Sequence, residues 1–139
     1  MKKFILIMLV FSSSISFARG IKWLSIKKGI ALMKKTKKPM IVSVHTDNCM
    51  YCIKLDQTTF KNRKIIKFLK RNFITARIDL AKPQEEFIFE GKKYMPRNFL
   101  VERGVQGTPS TLFFDRRGKY LTMLPGWIKP KPFVNILSY

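Results

Sequence analysis

Cys49 and Cys52 are the only two cysteines of this chain, and two residues separate them. They follow the apolar run 40–44, which predicts a buried strand, so we expect the pair at a strand-to-helix junction. A disulfide between them would close a very short ring, and the stabilisation that a cross-link provides grows with loop length. The spacing therefore favours thiol-disulfide exchange over a structural cross-link.

The two cysteines have different expected roles in such an exchange. A cysteine at a helix N-terminus faces unpaired backbone N–H groups and the positive end of the helix dipole, and both stabilise a thiolate. Cys49 is therefore expected to be the nucleophile. Cys52 lies one turn further along the helix, where it can attack the mixed disulfide and release the reduced substrate.

A second motif is the glycine-rich turn 105–109, which ends at Thr108-Pro109 and leads into the apolar segment 110–114. A CxxC pair alone also occurs in zinc sites. Together with a proline turn ahead of an apolar strand, it is much more specific.

Composition indicates one ordinary globular domain. The chain has 139 residues, of which 46% are hydrophobic and 13% aromatic, so it can build a packed core and is neither disordered nor collagen-like. Its formal charge of +20 attracts anionic partners, although a solvated basic surface explains the same count. Because the aromatic residues follow apolar patterns rather than the lysines, nucleic acid is not an expected partner.

The first residues predict an export signal. Lys2 and Lys3 precede an apolar stretch over 4–11, and Ser16-Phe17-Ala18 offers a small-x-small cleavage site. We therefore expect a signal peptide at 1–18 and a mature domain at 19–139, in an oxidising compartment such as the periplasm. Cleavage after Gly20 and an uncleaved anchor are the alternatives.

Hydrophobic periodicity predicts alternating helices and strands along the mature chain. The predicted helices are 23–35, 49–60, 63–71 (capped by Asn62), 96–103 and 130–139. The predicted strands are 40–44, 73–79, 110–114 and 119–124, with a small hairpin at 87–92. The order helix, strand, helix, strand in the first half is typical of a parallel sheet.

With these elements in place, the chain resembles the thioredoxin superfamily over roughly 23–139. The matching features are the CxxC after a buried strand, the Gly107-Thr108-Pro109 turn, the hairpin after it and Gly126 ahead of the last helix. The segment 38–46 is most similar to exported thioredoxin-like proteins. The resemblance implies an α/β thioredoxin fold: a central mixed sheet flanked by helices, with a small insertion before a cis-Pro turn.

The resemblance also implies an activity and a set of site residues. It predicts an exported thiol-disulfide oxidoreductase that acts as a monomer without a cofactor. Its substrates would be protein disulfides or thiols, with a membrane or exported redox partner as electron donor. Thr108 and a cis Pro109 would contact an extended substrate beside the sulfurs. Met50 and Tyr51 would also belong to the substrate-binding surface, and they would tune the reduction potential.

The chain departs from the family pattern at two positions. Ser43 stands where many thioredoxins have a buried acidic residue, six positions before the first cysteine. His45 is then the expected proton-transfer group, because imidazole titrates near neutral pH, although a strand-end histidine with an ordinary partner is the alternative. Asn48 replaces the aromatic residue that precedes the dithiol.

Several functions remain open on the sequence alone. The absence of a large insertion favours a reductase, whereas Thr108 before the proline and Tyr51 before Cys52 are similar to the isomerases, and an oxidase has the same fold. His45, Cys49 and Cys52, with Met50, would suit copper(I) or zinc, but a closed zinc site usually needs four ligands, so no metal is expected. A non-catalytic protein-binding module is the remaining alternative.

Overall fold

A computed structural model describes residues 20–138 of the chain, which contain seven strands and five helices. In chain order they are β1 (Leu24–Ser25), α1 (Ile26–Thr36), β2 (Met40–His45), α2 (Met50–Gln57), α3 (Arg63–Asn72), β3 (Ile74–Asp79), β4 (Phe87–Phe89), β5 (Lys92–Tyr94), α4 (Pro96–Val101), β6 (Ser110–Phe114), β7 (Tyr120–Pro125) and α5 (Pro130–Leu137). The predicted signal peptide, 1–18, lies outside the described residues.

Five strands form one mixed sheet in the order β1-β3-β2-β6-β7. Strands β1, β3 and β2 are parallel, whereas β6 is antiparallel to β2 and β7 is antiparallel to β6. The predicted α/β fold with a central mixed sheet is therefore confirmed. Within residues 20–138, no helix has the length and apolar character that crossing a bilayer requires.

The central strand β2 contributes to a core on each face of the sheet, because successive side chains of a strand point in opposite directions. Met40, Val42 and Val44 pack in the cluster that includes Ile30 and Met33 of α1. Ile41 packs in the other cluster, with residues of α2, α3 and α5. All five apolar or small residues from Met40 to Val44 are buried, as the apolar run predicts.

The predicted start of the first helix is wrong by three residues. Leu24 and Ser25 form the edge strand β1, in register with Ala76 and Arg77 of β3. The helix then begins at Ile26, with the Ser25 side chain accepting a hydrogen bond from the Lys28 N–H at 3.3 Å. A two-residue strand has no periodicity of its own, so only its partner β3 defines it.

Helix α1 lies unusually close to the sheet because of Gly29. A Cβ atom at this position would lie 2.7 Å from the Cβ of Ala76 and 3.2 Å from the sulfur of Met40. Glycine in a helix interior ordinarily lowers stability relative to alanine. Here the missing side chain allows the contact between α1 and strands β2 and β3.

The small insertion between β3 and β6 is the hairpin β4-β5 followed by α4. Phe87, Phe89 and Tyr94 of the hairpin make ring contacts with Phe99 of α4, at centroid distances of 5.0 to 5.3 Å. The hairpin extends two residues beyond the predicted 87–92. The Asn62 cap is confirmed, since its side chain accepts from the N–H groups of Lys64 and Ile65.

Candidate active site

Cys49 and Cys52 lie at the N-terminus of α2, directly after the loop that leaves β2, and they form a disulfide with their Cα atoms 5.2 Å apart. Cys49 is the N-cap residue: its sulfur accepts a hydrogen bond from the Cys52 N–H at 3.2 Å. Cys49 is partly exposed, whereas Cys52 is buried, with 6% of its surface exposed. Cys49 is therefore the more accessible of the two cysteines.

The N-cap position has a chemical consequence for the reduced protein. A sulfur at this place meets an unpaired backbone N–H and the positive end of the helix dipole, and the first turn of α2 has no acidic residue to oppose them. Both effects stabilise a thiolate at Cys49 over the neutral thiol. The arrangement suits a nucleophilic first cysteine and a protected second one.

The Thr108-Pro109 turn lies against the dithiol, although more than fifty residues separate them in the chain. Its peptide bond is cis, and the Thr108 hydroxyl Oγ1 lies 3.5 Å from the Cys49 sulfur. Pro109 is buried, and its carbonyl accepts a hydrogen bond from the Gly126 N–H at 2.8 Å. A groove of about 380 Å³ runs along this turn, lined by residues that include Gly107 and Pro125.

The helix surface beside the sulfurs is apolar and exposed. The exposed fractions of Met50, Tyr51 and Ile53 are 78%, 59% and 53%. These are the largest exposures among the large hydrophobic side chains of α2, and Met50 and Tyr51 stand between the two cysteines in the chain. Exposed apolar side chains next to a reactive group are typical of a surface that contacts another protein.

His45 ends β2 and faces Asp79 of the neighbouring strand β3, with Nε2 3.5 Å from the carboxylate Oδ2. Lys82 approaches the same carboxylate at 3.4 Å. Burial lowers the pKa of His45 below its ordinary value of 6.5 and the positive charge of Arg77 lowers it further, while Asp79 and Asp56 raise it. His45 and Asp79 line a cleft of about 510 Å³ at the carboxyl ends of the parallel strands.

Within residues 20–138, no group of three or more His, Cys, Asp and Glu side chains is arranged to hold a metal ion. The two sulfurs are bonded to each other, and the described contact of the imidazole is with Asp79.

Residues 26–139 match the thioredoxin-like domain family. The chain belongs to this family. Two curated relatives are the thiol:disulfide interchange proteins DsbD of Vibrio vulnificus strains CMCP6 and YJ016, each 25% identical over 126 residues. The match covers 89% of this chain but 20% and 19% of those proteins, so the chain spans about a fifth of their length.

Solved structures show the same fold. A thioredoxin from Thermus thermophilus superposes with a TM-score of 0.68 at 20% identity, covering 86% of this chain and 85% of that one. The oxidised C-terminal domain of Neisseria meningitidis DsbD gives a TM-score of 0.61 at 18% identity, covering 84% of this chain and 97% of that domain. At these identities the likeness supports the fold alone.

A charged pair of the thioredoxin-like domain was not predicted from its sequence. The Arg77 guanidinium of β3 makes two hydrogen bonds to Asp56 of α2, at 2.5 and 3.1 Å, and its Cζ lies 4.3 Å from the centre of the Trp23 ring. In the sheet register Arg77 is opposite the buried Ser43, the position at which many thioredoxins have a buried acidic residue. The Arg77 ion pair with Asp56 therefore lies near that position. The sequence did contain one signal for this pair: Asp56 follows Cys52 by one helical turn, so a carboxylate could have been expected on the helix that carries the dithiol.

His45 makes stability depend on pH near neutrality. The folded protein disfavours the imidazolium, whereas the unfolded chain takes up a proton below about pH 6.5, so the unfolded state binds more protons as the pH falls. We expect the free energy of unfolding, measured with urea, to decrease from about pH 7.5 to about pH 5.5. Asp79 has a pKa lowered from 3.8, so its protonation decreases the free energy of unfolding only at more acidic pH.

The variant His45→Gln tests this assignment. It should flatten the decrease between about pH 7.5 and pH 5.5, because glutamine does not titrate. Asp79→Asn should steepen the decrease, because it removes a carboxylate that raises the His45 pKa. Equal slopes in the wild type and His45→Gln would show that another group is responsible.

Proposed function

We propose that this protein is a thiol-disulfide oxidoreductase that reduces protein disulfides through a mixed-disulfide intermediate. The observation that carries the proposal is the Cys49-Cys52 disulfide at the start of α2, with the accessible Cys49 sulfur at the N-cap and 3.5 Å from Thr108. A buried second sulfur three residues later completes a dithiol suited to exchange.

The reaction proceeds in two displacements. The Cys49 thiolate of the reduced protein attacks one sulfur of the substrate disulfide, that bond breaks, and the departing substrate thiolate takes up a proton. Cys52 then loses its proton and attacks the Cys49 sulfur, which forms the Cys49-Cys52 disulfide and breaks the bond to the substrate; the second substrate sulfur leaves as a thiolate and takes up a proton. Two electrons pass from the protein to the substrate, so a partner dithiol must reduce the protein again.

Substrate contacts in this proposal involve Thr108, Pro109, Met50 and Tyr51. An extended substrate segment in the groove along the turn would meet the Thr108 backbone while its sulfur faces Cys49; the groove volume of about 380 Å³ and the short Thr108 contact support this. The exposed Met50 and Tyr51 would cover apolar groups beside the substrate cystine.

We further propose that His45 accepts the proton that Cys52 loses. Its lowered pKa keeps the imidazole neutral at pH 7, and a neutral imidazole can accept a proton. His45→Gln should then slow release of substrate from the mixed disulfide and leave its formation unchanged. An unchanged rate of substrate release would show that His45 has no role in proton transfer and only pairs with Asp79.

The direction of electron flow and the location of the protein are also part of the proposal. Between β3 and β6 the chain carries only the hairpin β4-β5 and the six-residue α4, which favours a monomeric reductase over an oxidase or a dimeric isomerase. Cleavage of the predicted leader 1–18 would place the protein in the periplasm, where a membrane or exported redox partner supplies electrons.

The proposal is tested with the pre-reduced protein and a protein disulfide such as insulin. The wild type should reduce it and end as the Cys49-Cys52 disulfide, as seen by alkylation and mass spectrometry. A protein that leaves the substrate oxidised and its own thiols free would contradict the proposed function.

A further inference from the structure

The ammonium group of Lys54, on the helix that begins at the dithiol, stacks over two aromatic rings. Its Nζ lies 3.9 Å from the centre of the Trp127 ring and 6.0 Å from that of Tyr51. Lys54 follows Cys52 by two residues and lies one turn beyond Tyr51 on the same helix. These ring contacts favour one placement of a side chain that would otherwise be flexible.

Hydrogen bonds through Thr58 link the Trp127 ring to the helix that carries Lys54. The Trp127 indole N–H donates to the Thr58 hydroxyl at 3.0 Å, and that hydroxyl donates to the Lys54 carbonyl at 2.6 Å. Trp127 also follows Gly126, whose N–H bonds the carbonyl of Pro109. The chain therefore connects the stack directly to the turn that faces Cys49.

The ammonium has no carboxylate partner within the described residues 20–138. All eight acidic residues of the chain lie in that part, and none is within ion-pairing distance of Lys54. The nearest acid along the helix, Asp56, pairs with Arg77 instead. Aromatic rings stabilise an ammonium through its position over their faces and leave N–H donors for another acceptor.

We propose that Lys54 selects substrates that carry a carboxylate beside their disulfide. The inference rests on the proposed function and names its substrate class: protein segments with Asp or Glu next to a cystine. A carboxylate there would pair with an ammonium that is already ordered, so less side-chain entropy is lost on binding than for a free lysine. The chain has 28 basic and 8 acidic residues, so its positive charge also attracts acidic protein segments at long range.

The position of the acidic residue in the substrate should also matter. Asp47 is exposed in the loop that precedes Cys49, and a second carboxylate near it would be repelled. We therefore expect a carboxylate before the substrate cystine and one after it to have different effects on the rate.

Three synthetic peptides with the same intramolecular disulfide test the inference. One has Asp before the cystine, one has Asp after it, and one has Asn at both places. The pre-reduced wild type should reduce one Asp peptide about fivefold faster than the Asn peptide at low salt, an effect typical of an exposed ion pair. The ratio should shrink as ionic strength rises.

Matched variants separate recognition from structure. Lys54→Gln should remove the preference without changing the rate on the Asn peptide, and Lys54→Arg, which also stacks on rings, should restore it. Lys67→Gln, at an exposed lysine of α3, should behave as the wild type.

Two outcomes overturn the inference, and they differ. If the wild type reduces all three peptides equally, if it reduces insulin but none of the peptides, or if the preference survives in Lys54→Gln, the substrate class is wrong while the oxidoreductase function stands. If the wild type reduces none of them and does not reduce insulin, the proposed function fails and the inference fails with it.

Discussion

Replacing Cys52 with serine is expected to trap substrates on Cys49 as stable mixed disulfides. The first displacement needs only the Cys49 thiolate, which the N-cap position stabilises, whereas release needs the Cys52 sulfur. The trapped complex should be visible on a non-reducing gel, and peptide mass spectrometry should show the substrate cysteine joined to Cys49. Turnover with insulin should fall to the background rate.

Replacing Cys49 with serine gives the matched control. Cys52 is buried, so it should form few mixed disulfides, and reduction of insulin should again be lost. Both variants remove the same disulfide, so a difference between them reports on the roles of the sulfurs rather than on stability. Trapping through Cys52 in the Cys49→Ser variant would reverse the assigned roles.

Replacing Phe99 with alanine is expected to cause a large loss of stability. Phe99 has no exposed surface and makes ring contacts with Phe87, Phe89, Tyr94 and Phe114. The Arg103 guanidinium carbon also lies 3.5 Å from the centre of its ring. Removal of a buried phenylalanine side chain costs about 3 to 5 kcal/mol, a large part of the roughly 5 to 15 kcal/mol of a typical domain.

The control for Phe99 is on the same helix. Val101 is 66% exposed, so Val101→Ala should change the free energy of unfolding by no more than about 0.5 kcal/mol. Urea denaturation of the two variants measures both effects. A loss below about 1 kcal/mol for Phe99→Ala would show that the β4-β5 hairpin and α4 are not packed as described.

The sequence allowed prediction of features that depend on local pattern. The buried strand β2, the Asn62 cap, the β6-β7 hairpin and the position of the dithiol each follow from a short stretch of residues. The resemblance to thioredoxins added the cis peptide at Thr108-Pro109 and the central mixed sheet, which no local pattern specifies.

Features that depend on distant partners could not be predicted. Strand β1 is too short to have a period, and its pairing partner β3 lies far from it in the chain. The ion pair between Arg77 and Asp56 joins residues 21 positions apart in the chain. The contact between Lys54 and Trp127 joins residues that are even further apart. Such contacts form only when the complete sheet brings the segments together.

The reduction potential of the Cys49-Cys52 pair decides whether this protein reduces or oxidises its partners. It is measured by equilibrating the protein in redox buffers of known potential and counting free thiols after acid quench and alkylation. A reductase should have a value near about −270 mV, as thioredoxins do, so that its dithiol donates electrons to substrate disulfides. A value near about −120 mV would contradict the account, because such a pair would oxidise its partners instead.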